Sequence, residues 1–186
     1  MDSSLKISCW NSDWATPTSK RGNFFIDKFD SDIVCLTEGY ETLLPQNGYI
    51  ISSHEDYGYK TKKGRRKVIL WSKNEWTDID QLGSTEIPSG RFISGITNGI
   101  RIVGLCIPWR FAHVSTGRKD RKPWEDHLSF IQNLSFSNEK TIILGDFNQN
   151  IPRKNQPEIV FTSLKNMIDG FKSVSYTHLR AHETAY

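Results

Sequence analysis

At 186 residues, with 37% hydrophobic and 24% charged side chains, the chain has the size and composition of one soluble domain with its own core, which excludes a disordered segment. A formal net charge of +3 is too small to indicate a polyanionic partner by itself, although basic residues gather at positions 60–67 and 118–122. Cys9, Cys35 and Cys106 are widely spaced and form neither a CxxC nor a Cys/His pair at zinc spacing, which argues against a disulfide or zinc framework.

No apolar run approaches the ~18 residues of a membrane span, and the N-terminus lacks a charged region followed by an apolar stretch of signal length. A reducing, cytoplasmic setting without a membrane partner is therefore the default expectation. The Asn133-Leu-Ser135 sequon then reads as a chance match.

Taken in order, residues 5–10 alternate apolar and polar side chains and predict a first strand, ending at Asn11. Turn and cap signals at 16–19 precede a helix over residues 19–28, with Phe25, Ile26 and Phe29 as its apolar face. Residues 33–36 predict a second strand that delivers Glu38 and Gly39 at its tip. Further strands are expected at 49–53, 67–72 and 76–82, with a polar loop over 54–64. Residues 92–97 and 100–107 form a hairpin joined by Asn98-Gly99, a strong type I′ turn signal. Pro123 suits the first position of a helix carrying Trp124, Leu128, Ile131 and Leu134 on one face. A strand at 141–144 and a helix over 158–168 complete the series. No repeat or linker interrupts it, and the mixture of hairpins and helices predicts a single α+β domain with packed sheets and helices outside.

The stretch Thr-Ile-Ile-Leu-Gly-Asp-Phe-Asn-Gln-Asn at 141–150 carries the most chemistry. Its apolar run fits a strand buried on both faces, and Gly145 lets the backbone turn so that Asp146 and Asn148 emerge at the strand's end. An ordinary strand-to-loop turn uses the same residue types. What distinguishes this one is its company: Asn11 and Glu38 also stand at strand tips.

These segments, Ile7-Ser-Cys-Trp-Asn11, Asp32-Ile-Val-Cys-Leu-Thr-Glu38, Val68-Ile-Leu-Trp-Ser-Lys73 and Leu144-Gly-Asp-Phe-Asn148, resemble the endonuclease/exonuclease/phosphatase superfamily of metal-dependent phosphoesterases. The resemblance implies a four-layer α/β sandwich, two packed mixed sheets flanked by helices, over residues 1–172. It implies Mg²⁺, with Mn²⁺ as an alternative, held by Glu38 with Asn11 beside it. Asp146 would orient or deprotonate the attacking water, and Asn148 would donate to the phosphate as charge builds on it. Asn11 would help position the scissile phosphate. The implied substrate is a phosphoester, with a lean towards nucleic acid because the basic run at 60–67 suits a phosphate backbone. A solvated loop is the competing reading of that run.

Two departures accompany the match. Cys106 stands where many members place a His or Tyr, so the phosphate contact is expected from Trp109, Arg110 or His113. Arg110 is preferred because a guanidinium fits phosphate oxygens bidentately, against the alternative of a solvated loop arginine. Residues 173–184, Ser-Val-Ser-Tyr-Thr-His-Leu-Arg-Ala-His-Glu-Thr, replace the Ser/Thr-Asp-His segment of the family and read like a translated sequencing adapter. On that reading residues 173–186 are a non-native tail, the fold is incomplete at its C-terminus, His178 and His182 bind nothing, and the chain, lacking the family's catalytic His, is an inactive fragment of the enzyme. The alternative function is a non-catalytic binding module, or pseudoenzyme, with the same fold.

Overall fold

Residues 33–36, Ile-Val-Cys-Leu, carry no ionisable side chain except one thiol, and the strand they open is buried on both faces. In the computed structural model, which describes residues 4–55, 62–83, 90–108 and 140–148, this strand is β2, Ile33–Tyr40. It pairs in parallel with β1, Ile7–Asn11, and antiparallel with β4, Arg65–Ser72, which in turn carries β3, Tyr49–Ser52. The sheet order is β1-β2-β4-β3.

The second sheet runs β5-β6-β7-β8, from Thr77–Asp80, Phe92–Thr97, Ile100–Cys106 and Thr141–Asp146. Its hairpin turns where the sequence predicts. Asn98 and Gly99 have φ of 54° and 69°, the two positive values that a type I′ turn requires. β8 lies parallel to β7, with Cys106 opposite Asp146. Both sheets are therefore mixed.

Alternation along each strand sorts the apolar side chains into two cores. Ile33 and Cys35 of β2 and Val68 and Leu70 of β4 face the second sheet, meeting Ile93, Ile102, Cys106 and Leu144. Val34, Leu36, Ile69 and Trp71 face the other way, onto Leu43, Leu44 and the helix α1, Lys20–Asp27. Ser19 caps that helix by accepting from the Gly22 N–H at 3.1 Å. Phe25 stacks on Trp10 with ring centroids 4.3 Å apart, and Phe29 meets Trp71 edge-on at 4.8 Å.

One expected member of that face is displaced. Ile26 is 45% exposed, because Phe25 in the helix and Phe29 just past its C-terminal end already cover the aromatic surface beneath it. The helices expected at 123–134 and 158–168, and the tail 173–186, lie outside the described residues. No described helix is long and apolar enough to cross a membrane.

Candidate active site

β1 and β8 end at one edge of the paired sheets, β2 runs on past them, and each of the three delivers a predicted polar residue there. Asn11 closes β1 and Asp146 closes β8, and the two meet across the sheets, Asn11 Nδ2 donating to Asp146 Oδ2 at 2.7 Å. The other Asp146 oxygen, Oδ1, accepts from the Asn148 backbone N–H at 2.8 Å. Both carboxylate oxygens are thus fixed before any ligand arrives. Asn148 has φ of 51° and donates its side-chain amide to the Ile107 carbonyl at 2.6 Å. An amide nitrogen carries two hydrogens, so this bond leaves one N–H for another acceptor.

Gly145 earns its place by conformation. Its φ is +136°, and a Cβ there would lie 1.9 Å from the Leu105 carbonyl oxygen, so no other residue can pass that point without moving β7. The strand also runs two residues further than its apolar stretch suggests, which places Asp146 in register with Cys106 rather than in a loop.

Glu38 likewise sits inside β2, not beyond its end. Its φ of 51° breaks the strand's regular geometry at that single residue. The β1–β2 register pairs Asn11 with Thr37, so Glu38 is one residue past the asparagine's partner. Its backbone carbonyl accepts twice, from Ser12 Oγ at 2.7 Å and from the Trp14 N–H at 2.6 Å. The loop after β1 is clamped onto the glutamate in this way. Asp13 and Trp14 both have positive φ, 46° and 60°, an unusual pair for non-glycine residues. The Asp13 N–H bonded to Asn11 Oδ1 at 2.9 Å, and the Arg21–Asp13 ion pair at 2.9 Å, hold them there.

Lys67 is the residue that sequence reasoning missed. The antiparallel register sets it directly opposite Glu38, since Thr37 pairs with Val68 and Gly39 with Arg66. Its Nζ donates to Glu38 Oε1 at 2.5 Å, with the lysine side chain only 9% exposed. Trp14 lies over it, 4.9 Å from Nζ to the ring centroid, and also 4.6 Å from the Arg65 guanidinium. By sequence pattern the basic run is a loop up to Gly64, followed by a strand from Lys67. Instead β4 begins at Arg65, and two of the cations belong to the site's wall. The signal available in the sequence was period-2 alternation: Arg65 and Lys67 share one face of a strand.

Cys106 does not face solvent. It is buried in the inter-sheet core, and burial pushes its thiol up to about 12. It lies opposite Asp146 in the β7–β8 register, and its backbone carbonyl accepts from Arg91 at 3.0 Å. A neutral, buried thiol there is packing, not a phosphate donor. Trp109, Arg110 and His113 lie outside the described residues.

The donor set is all oxygen. Glu38 Oε2, which no described residue engages, and Asn11 Oδ1 stand at the site, and Thr37 Oγ1 is fully buried with no hydrogen-bond partner among the described residues. Oxygen donors with one or two carboxylates suit Mg²⁺ or Mn²⁺, which keep several waters. They do not form a closed cage, and the described residues contain no group of three or more His, Cys, Asp or Glu able to hold a metal.

The Endonuclease/Exonuclease/phosphatase family model matches residues 25–155, well over half of the chain. The chain belongs to this family. Solved structures agree in fold. A 3′ phosphatase, NExo, from Neisseria, bound to a product DNA hairpin, superposes with a TM-score of 0.62 at 15% identity, over 90% of this chain and 71% of that one. An AP endonuclease from Archaeoglobus fulgidus gives 0.61 at 18% identity, over 89% and 70%. The endonuclease domain of TRAS1, a telomere-specific non-LTR retrotransposon, gives 0.59 at 13%, over 89% and 71%. No curated protein matches the chain by sequence. Within the endonuclease/exonuclease/phosphatase frame, the joined tips of β1, β2 and β8 are the candidate active site.

Proposed function

We propose that this member of the endonuclease/exonuclease/phosphatase family hydrolyses phosphodiester bonds of nucleic acid with a divalent cation, Mg²⁺ or Mn²⁺. The observation that carries this reading is the 2.7 Å bond between Asn11 and Asp146, 135 residues apart, which joins the two sheets where Glu38 and Asn148 also converge. A scaffold that only bound a partner would have no need to hold both oxygens of a half-buried aspartate in fixed directions. The family match and the nucleic-acid enzymes among the structural neighbours support the substrate class.

Glu38, with Asn11 beside it, would hold the cation, which polarises a phosphoryl oxygen when bound. Asp146, its orientation fixed by Asn11 and the Asn148 backbone, accepts a hydrogen from the attacking water and aims a lone pair of that water at phosphorus. Asn148 offers its second amide hydrogen to the phosphoryl oxygen on which charge accumulates. Arg65 adds positive charge beside the site, suited to a neighbouring backbone phosphate. Trp109, Arg110 and His113 belong to the proposal as further substrate contacts. On the same reading residues 1–172 form the enzyme domain and residues 173–186 are foreign to it, which resequencing the source DNA across codon 172 tests.

The decisive assay is cleavage of an end-labelled oligonucleotide by the chain continued through its native frame. Chelation should abolish cleavage, and Glu38→Gln should lower it by about a hundredfold or more. Activity that persists through both overturns the proposal.

A further inference from the structure

The proposed reaction leaves one charged group of the site without a task, the Lys67 ammonium. Its environment is built rather than incidental. The side chain is 9% exposed, Nζ lies 2.5 Å from Glu38 Oε1, and the two residues face each other across β2 and β4. Desolvating an ammonium is expensive unless it is paired, and a part-buried pair of this kind, with the Glu38 side chain 23% exposed, is weak evidence for a role in stability. Two non-glycine residues with positive φ, Trp14 and Glu38, build this pair's surroundings. Trp14 covers Nζ, and its N–H holds the Glu38 backbone at 2.6 Å. Strain of this kind persists only where the surroundings over-determine it, and it collects at working sites.

We propose that Lys67 is a resident cation that shares Glu38 with the divalent ion and thereby sets the site's affinity for it. The inference rests on reading Glu38 as the metal carboxylate. Lys67 holds Oε1, so the ion's access is to Oε2, and the ammonium beside it repels the incoming charge. Free protein then binds the ion weakly. Full occupancy requires the negative charge of a substrate phosphate, which couples ion binding to substrate binding. The same ammonium keeps the carboxylate charge-balanced and oriented while no ion is bound.

The test is Mn²⁺ binding to the intact chain without substrate, by titration calorimetry, in the unaltered protein and in Lys67→Gln, Lys67→Arg and Glu38→Gln. Glutamine keeps a hydrogen-bond donor for Glu38 and removes the charge. Expected are binding that Glu38→Gln eliminates, a Kd about tenfold tighter in Lys67→Gln, and little change in Lys67→Arg. Equal or weaker binding in Lys67→Gln overturns the inference and leaves the phosphoesterase reading standing. Absence of Glu38-dependent binding in the unaltered chain overturns both. A second measurement needs no Lys67 variant. Mg²⁺ titration should change the emission of Trp14, read as the difference from Trp14→Phe, because the ion adds positive charge to the Glu38 carboxylate whose partner Lys67 Nζ lies 4.9 Å from the Trp14 ring. A difference spectrum that does not respond to Mg²⁺ also overturns the inference.

Discussion

Cys106 shows how one side chain can occupy a functional address without performing the function. Its thiol lies among Ile33, Val68 and Ile102 in the inter-sheet core, and desolvation lifts its ionisation from 9.0 to about 12. The sign of the linked stability follows directly. Below 9.0 the thiol is protonated in both states, so nothing is lost. Between 9.0 and about 12 the unfolded chain releases this proton and the folded chain does not, so stability declines as pH rises through that window. Denaturant midpoints measured from about pH 8 to about pH 11 should therefore fall more steeply for the unaltered protein than for Cys106→Ala. Iodoacetamide near pH 8 should label Cys106 slowly until denaturant is added. Rapid native labelling, or parallel pH slopes in the two proteins, would place the thiol outside the core and reopen a direct role at the site.

At the scale of elements, α1 separates what periodicity reveals from what it does not. Phe25, Ile26 and Phe29 are all apolar at nearly helical spacing, but only the two phenylalanines reach the aromatic surface made by Trp10 and Trp71. Phe25→Ala should therefore cost about 2–3 kcal/mol, whereas Ile26→Ala, at a position 45% exposed, should stay within about 0.5 kcal/mol. Urea unfolding of both variants decides it, and equal losses would mean that Ile26 packs after all. The strands were more legible than the helix face. β6, β7 and their Asn98-Gly99 turn follow from alternation and turn chemistry, since both signals are local. The tips were legible for the same reason: Asn11, Glu38 and Asp146 each follow an apolar run. The cross-strand partnership of Glu38 with Lys67 was not, because pairing depends on a register fixed between β2 and β4, and no local pattern encodes it. Nor did the sequence show that Trp14 would fold back in a left-handed conformation, a cost that only tertiary contacts sustain.

For the molecule as a whole, the geometry of the candidate site depends on how closely the two sheets approach. Gly104 of β7 is a point of close approach between them, where an added Cβ would lie 2.6 Å from Val68 Cγ1 and 2.9 Å from Leu70 Cδ2. Valine has little rotational freedom, and Val68 is fully buried, so the clash cannot be relieved by a side-chain swing. Gly104→Ala must push β7 away from β4. β7 carries β8 with it, because Cys106 pairs with Asp146 only two residues further on, and the 2.7 Å bond from Asn11 to Asp146 stretches. The expected loss of stability is about 1–3 kcal/mol, with a disproportionate loss of the proposed cleavage, because the carboxylate proposed to orient water has moved. Val68→Ala removes the opposing methyl groups and has its own cavity cost. Combined with Gly104→Ala, it should restore part of both properties, giving a favourable coupling of about 1 kcal/mol in the double-mutant cycle. Additive losses would show instead that the sheets tolerate the extra methyl, and that some other contact sets the distance between Asn11 and Asp146.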